Sequence, residues 1–161
     1  MSQKTVLLGV TGCVAIYKAC EIVRGLQKAG LRVKVVMTEH ATEFIRPAQF
    51  RALTREPVAV GLFDDAPGDP IHHVSLAKEA DLFVIAPATA NVIAKIAHGV
   101  ADDLLTTTAL ATTAPMMIAP AMNPTTIINR FFRKYPNSST RSISVSPFRA
   151  AAVFRSVCGF M

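Results

Sequence analysis

The chain has 161 residues, enough for one domain and hardly two. Hydrophobic residues make up 51% and charged residues 17%, which supplies a buried core and excludes a disordered chain. The net charge of +6 does not mark a nucleic-acid surface. Residues 1–123 carry 11 Lys/Arg and 11 Asp/Glu, and the whole excess falls in residues 124–161.

Thr5–Gly9 is a short β-branched apolar run suited to a buried strand. The tight loop Val10-Thr11-Gly12-Cys13-Val14 follows. From Ala15 to Ala29, Ile16, Cys20, Ile22, Val23 and Leu26 recur at helical spacing, with Gly30 as a stop. Leu31–Met37 is a second strand. Thr38 stands where an N-cap belongs, with Glu39 in the first turn. Phe44 and Ile45 are expected to face inward, and Pro47–Leu53 to form a short helix. Residues 61–70 are loop, and His72-His73 is read as part of that loop. Leu82–Ala86 is a third strand and Pro87–Asn91 a strand-to-helix turn. Val92–Ala97 and Asp103–Ala111 are helical, and Met116–Ala119 is a fourth strand ending at Pro120-Ala121-Met122-Asn123. This alternation implies an α/β, Rossmann-like (flavodoxin-like) three-layer sandwich with a mainly parallel sheet.

Ligands of such sheets bind beyond the carboxyl ends of the strands, so the loops there are the candidates. Gly12, Cys13 and Val14 are small enough for backbone N–H groups to meet an anion, or they form a plain tight turn. Neither Gly-x-Gly-x-x-Gly nor a Walker sequence is present. The Thr38 hydroxyl suits a phosphate or a cap. Thr89 and Asn91 suit the polar edge of a planar ring, or cap the next helix. Asn123 offers an amide to a carboxylate, or bonds its own backbone. His72 and His73 are acid/base candidates at neutral pH, or solvated loop residues. No Cys/His/carboxylate spacing points to a metal, and no nucleophile elbow points to a hydrolase. Three scattered cysteines (Cys13, Cys20, Cys158) do not make a disulfide framework. No apolar run reaches the roughly 18–20 residues of a membrane span. No signal peptide precedes the first strand, so the expected setting is a reducing cytoplasm.

Taken together, these segments resemble the flavin-dependent cysteine decarboxylases. The matching stretches are Gly9-Val10-Thr11-Gly12-Cys13-Val14-Ala15-Ile16-Tyr17-Lys18, Met37-Thr38-Glu39-His40-Ala41 with Phe44, and Ile71-His72-His73-Val74-Ser75-Leu76. Ala86–Gly99, Ala101-Asp102-Asp103-Leu104-Leu105 and Ala119-Pro120-Ala121-Met122-Asn123 complete them. Within the family the likeness is closest to the phosphopantothenoylcysteine decarboxylases of coenzyme A synthesis, in the form of the amino-terminal half of a bifunctional protein. The resemblance implies FMN as cofactor. Gly12, Cys13, Val14, Thr38 and Phe44 would lie near its phosphate, and Thr89, Ala90, Asn91 and Ala121 on its ring side. It implies His73 as the catalytic base, with His72 at a variable position, and Asn123 as the substrate-carboxylate holder. It also implies a small-molecule substrate and a homotrimer or a dodecamer built of trimers. The implied reaction converts 4′-phosphopantothenoylcysteine to 4′-phosphopantetheine. The alternatives are a peptidyl-cysteine decarboxylase that releases an enethiol and a non-catalytic flavin-binding subunit. Flavin prenyltransferases share the fold but lack the histidine box and Pro-Ala-Met-Asn.

The pattern breaks after Asn123. Residues 124–161 hold Arg130, Arg133, Lys134, Arg141, Arg149 and Arg155, no acid, and five of the nine phenylalanines. The division expected is therefore a decarboxylase core, 1–123, and an atypical basic tail, 124–161, that replaces or forms the substrate flap. Cys158 in Ser156-Val157-Cys158-Gly159 matches the family's Ala-Cys-Gly, whose cysteine acts as acid in a reductive half-reaction. Two readings of the tail stand: compensating frameshifts over about residues 124–156, or divergence.

Overall fold

The computed structural model describes residues 3–63 and 71–119. Among them five strands form one sheet: β1 Thr5–Val10, β2 Arg32–Met37, β3 Val58–Ala59, β4 Leu82–Ile85 and β5 Met116–Ile118. The strand order is β3-β2-β1-β4-β5 and every pair is parallel. That is the Rossmann order, with the reversal of direction between β1 and β4.

The helices are α1 Tyr17–Lys28, entered through a 3₁₀ turn at Val14–Ile16, then α2 Glu39–Thr42, α3 Pro47–Thr54, α4 His72–Glu79, α5 Ala90–Ala97 and α6 Leu104–Ala111. All six residues of β1 are buried, because β1 is central and both its faces are covered. Alternate residues feed two cores. Val6, Leu8 and Val10 pack with Val33, Val35, Val84 and the inner faces of α1 and α3. Leu7 packs with Phe83, Ile85 and residues of α4, α5 and α6. The three-layer expectation is met.

Helix α1 buries Ala19, Ile22, Val23 and Leu26; of the expected stripe Ile22, Val23 and Leu26 are buried here, Ile16 is buried in the 3₁₀ turn before it, and Cys20 is only half-buried, with Ala19 in the core beside it. The helix ends as expected at Gly30, at φ +80°. The Leu31 N–H donates to Leu26 O (3.1 Å) and the Gly30 N–H to Gln27 O (2.9 Å), a Schellman pair that satisfies two terminal carbonyls. Helix α3 opens with Pro47 and drives Phe50 fully into the core, a burial that contributes about 1.5–3 kcal/mol.

Three expectations are corrected. Phe44 does not face inward: it is 53% exposed, and Phe50 fills the core place instead, while Ile45 packs only partly against it. The two histidines are not in a loop but open α4. That helix buries only Leu76 and Ala77 fully, too short a stripe to read as periodic. A fifth strand, β3, is present, and its two residues are too few to show alternation.

Candidate functional site

The carboxyl edge of the sheet is laced into one surface by backbone bonds between neighbouring strand ends. The Thr38 N–H donates to Val10 O (3.1 Å), Ala86 N–H to Gly9 O (2.9 Å) and Ala119 N–H to Ile85 O (2.9 Å). The loops leaving β1 and β4 part company here, at the crevice where open α/β sheets bind ligands.

Gly12 and Cys13 lie past the end of β1. A Cβ on Gly12 would sit 2.6 Å from His40 O and 3.0 Å from Ala41 N. The β1 loop therefore lies directly on the backbone of α2, and only glycine permits that approach. Cys13 is the N-cap of the 3₁₀ turn, half-buried, and its side chain makes no cap bond. Val14 beside it is 83% exposed. Thr38 is the buried N-cap of α2, again with no side-chain cap bond. At these two neighbouring helix starts the Ile16 and Ala41 N–H groups donate to Cys13 O and Thr38 O, and among the described residues neither the Cys13 nor the Thr38 side chain caps the N–H groups ahead of them.

On the other side of the crevice Thr89 N-caps α5, its hydroxyl accepting from the Val92 N–H at 3.4 Å. Of the two expected uses of Thr89, the cap is therefore observed. Ala90 and Asn91 are exposed in the first turn, so the Asn91 amide is not a cap. His72 and His73, both half-buried, start α4. A crossover helix runs back against the strands it joins, so the start of α4 lies at the same carboxyl edge as the starts of α1, α2 and α5. Asp103 closes a capping box with Thr106 at the start of α6. Lys95 reaches Asp102 (2.8 Å) and Asp103 (3.6 Å), tying α5 to α6. Its hydrogen bond raises the Lys95 pKa and lowers that of Asp102.

Phe44 is exposed just after α2. With Tyr17, Cys20, Ile45, Arg46, Ala48 and Gln49 it lines an open groove between α1 and the α2–α3 segment. Burial pushes the Cys20 thiol up from its ordinary pKa, against a smaller opposing effect of Arg24. Ala121, Asn123 and Cys158 lie outside the described residues.

One residue of the edge was not singled out by the sequence. Thr11 is 1% exposed. Its hydroxyl donates to Pro87 O (2.6 Å) and accepts from the Thr89 N–H (3.0 Å). The available signal was a hydroxyl residue directly after the stretch Val6–Val10 of the central strand, which has no polar side chain.

The site fits a flavin on the chemistry of its donors. The first N–H groups of the two helix starts at Cys13 and Thr38 and the Thr38 hydroxyl suit a phosphate anion, and the Thr89–Asn91 turn across the crevice suits a polar ring edge.

Comparison with known proteins gives the same answer. The family model described as Flavoprotein matches residues 1–148. The coenzyme A biosynthesis bifunctional protein CoaBC of Bacillus subtilis is 51% identical over 123 residues, 76% of this chain and 30% of that protein. The Mycobacterium tuberculosis CoaBC is 50% identical over 120 residues, 74% of this chain and 28% of that protein. The chain thus spans under a third of the length of these curated relatives. Among solved structures, the FMN-dependent cysteine decarboxylase SpaF superposes with a TM-score of 0.69 at 31% identity, over 96% of this chain and 98% of SpaF. A PPC decarboxylase mutant complexed with pantothenoylaminoethenethiol superposes at 0.62 and 31% identity, over 84% of this chain and 76% of that one. Matched by the family model along residues 1–148 and by SpaF along nearly its whole length, the chain belongs to the Flavoprotein family, among relatives that include the flavin-dependent cysteine decarboxylases.

Proposed function

We propose that this chain is an FMN-dependent phosphopantothenoylcysteine decarboxylase acting in coenzyme A synthesis. The observation that carries the reading is the 51% identity to the CoaBC protein over 123 residues. The gathering of the histidine box and two helix starts without a side-chain cap at one sheet edge supports it.

A cysteine carboxylate cannot lose carbon dioxide easily, because the electrons left behind have no sink. A flavin bound at this site would supply the oxidising chemistry that creates such a sink at the thiol-bearing carbon. The protein's part is positional and acid–base. Gly12, Cys13, Val14 and Thr38 hold the phosphate, with Phe44 at that end, and Thr89, Ala90, Asn91 and Ala121 contact the ring side. His73 takes the proton in the oxidative half, Asn123 orients the carboxylate, and Cys158 returns a proton in the reductive half. Residues 1–123 form the flavin-binding core, and residues 124–161 replace or form the substrate flap. The assembly is a homotrimer or a dodecamer of trimers. Val14, Tyr17 and Phe44 lie exposed around the α1 start, at 83%, 57% and 53%, an apolar surface of the kind that subunit contacts cover. The setting is cytoplasmic. Among the described residues no helix is long and apolar enough to cross a membrane.

A second reading is a peptidyl-cysteine decarboxylase that releases an enethiol; SpaF, an FMN-dependent cysteine decarboxylase matched over 98% of its length, supports cysteine decarboxylation under either reading. Denaturing the loaded protein and identifying the released flavin by mass tests the cofactor: FMN is expected, and FAD or nothing overturns it. Offering 4′-phosphopantothenoylcysteine against a peptide ending in cysteine separates the readings. Turnover of the peptide alone overturns the first.

A further inference from the structure

We propose that Thr11 is the positioning residue that sets the separation between the two halves of the flavin site. The inference rests on the flavin reading above and names a residue outside the contact set given there.

A hydroxyl has one proton to donate and lone pairs to accept with. Thr11 commits both to the same short loop: the proton to Pro87 O at 2.6 Å, the oxygen to the Thr89 N–H at 3.0 Å. Its Oγ1 thereby sits within the β4–α5 turn as an extra backbone-like partner. On the far side the Ala88 N–H donates to Ala119 O at 3.1 Å. The turn is held by Thr11, directly after β1, and by Ala119, directly after β5. Thr89 then caps α5. Gly12, Cys13 and Val14 follow Thr11 directly in the chain. One buried side chain therefore couples the phosphate-side loop to the ring-side turn across the reversal point of the sheet.

Without that oxygen, the Thr89 N–H and Pro87 carbonyl lose their partner in a buried setting, and the turn must move to satisfy them. Valine has the same shape and no hydrogen bonds, so Thr11→Val isolates this effect. Serine keeps both bonds and drops only a methyl group.

The test uses the full chain. Cooperative thermal unfolding of the flavin-free protein, the FMN dissociation constant from fluorescence quenching, and the visible spectrum of bound FMN are measured for wild type, Thr11→Val and Thr11→Ser. The expected result is a folded Thr11→Val that binds FMN about tenfold or more weakly, with shifted visible bands, and a Thr11→Ser that recovers both. If Thr11→Val does not fold, Thr11→Cys takes its place. Its longer, weaker hydrogen bonds should still weaken FMN binding and shift the bands. Wild-type affinity and spectrum in the folded variant, whatever its melting temperature, overturn the proposal and leave the cofactor reading intact. Wild-type protein that takes up no FMN overturns both.

Discussion

Gly12 lies against the backbone of His40 so closely that a Cβ would come within 2.6 Å of the His40 carbonyl oxygen and 2.7 Å of its carbon. The obstacle is main chain, so no rotamer change relieves it. The two helix starts assigned to the phosphate are spaced by this contact.

Gly12→Ala should therefore separate the β1 loop from α2. A destabilisation of about 1–3 kcal/mol is expected, with FMN binding weakened about tenfold or more. Gly30→Ala is the control. Gly30 is at φ +80° with nothing within 4 Å of its missing Cβ, so that change should cost about 1 kcal/mol and leave FMN affinity alone. Chemical denaturation and flavin titration of both variants check the contrast. Equal FMN affinities in the two would contradict it.

His73→Asn should keep the α4 start and the flavin but remove the base. Turnover is expected to fall about 10²–10⁴-fold with the flavin content unchanged, while His72→Asn stays close to wild type. A steady-state assay beside an absorbance measurement of bound flavin decides this. A His73→Asn protein as active as its parent removes His73 from the chemistry.

Asp103 accepts the Thr106 N–H at 2.8 Å, and the Thr106 hydroxyl accepts the Asp103 N–H at 3.3 Å. Asp103→Ala breaks this capping box and should cost about 1 kcal/mol, read as a lower denaturation midpoint. Asp103→Asn, still able to accept, should recover most of it.

Acid should loosen the sheet through Asp81. Burial alone would raise its pKa. The Lys4 ammonium and the Thr5 N–H, at 2.7 and 2.8 Å, outweigh burial and hold the carboxyl below its ordinary value. Glu56 beside Arg32 and Asp102 beside Lys95 are lowered as well. A carboxyl with a lowered folded pKa contributes stability in full above its unfolded value of about 4. That contribution is lost as pH falls through the folded value. Asp81→Asn should therefore cost about 1 kcal/mol at pH 7, with the gap to wild type narrowing in acid. Denaturation curves at pH 7 and near pH 3.5 test the sign: a gap that widens in acid contradicts it.

What could be read in the sequence was set by how much chain each feature engages. Helix α1 places four buried residues at helical spacing, and β1 runs without a polar side chain from Val6 to Val10, so both are plain in the residues. Phe44 and Phe50 are equally apolar and lie six positions apart; only the packing of α3 decides that Phe50 goes in and Phe44 stays out. From their place after strands, the loops Gly12–Val14 and Thr89–Asn91 were legible as lying at the carboxyl edge of the sheet. Thr11 was not, because its role depends on Pro87 and Thr89, more than 75 positions away in the chain.

The central claim is that this fold decarboxylates a cysteine with the help of a flavin. Its most direct test is the mass of the product formed when purified, FMN-loaded protein meets 4′-phosphopantothenoylcysteine. The account predicts loss of carbon dioxide and formation of 4′-phosphopantetheine. Unchanged substrate in the presence of bound flavin would contradict it.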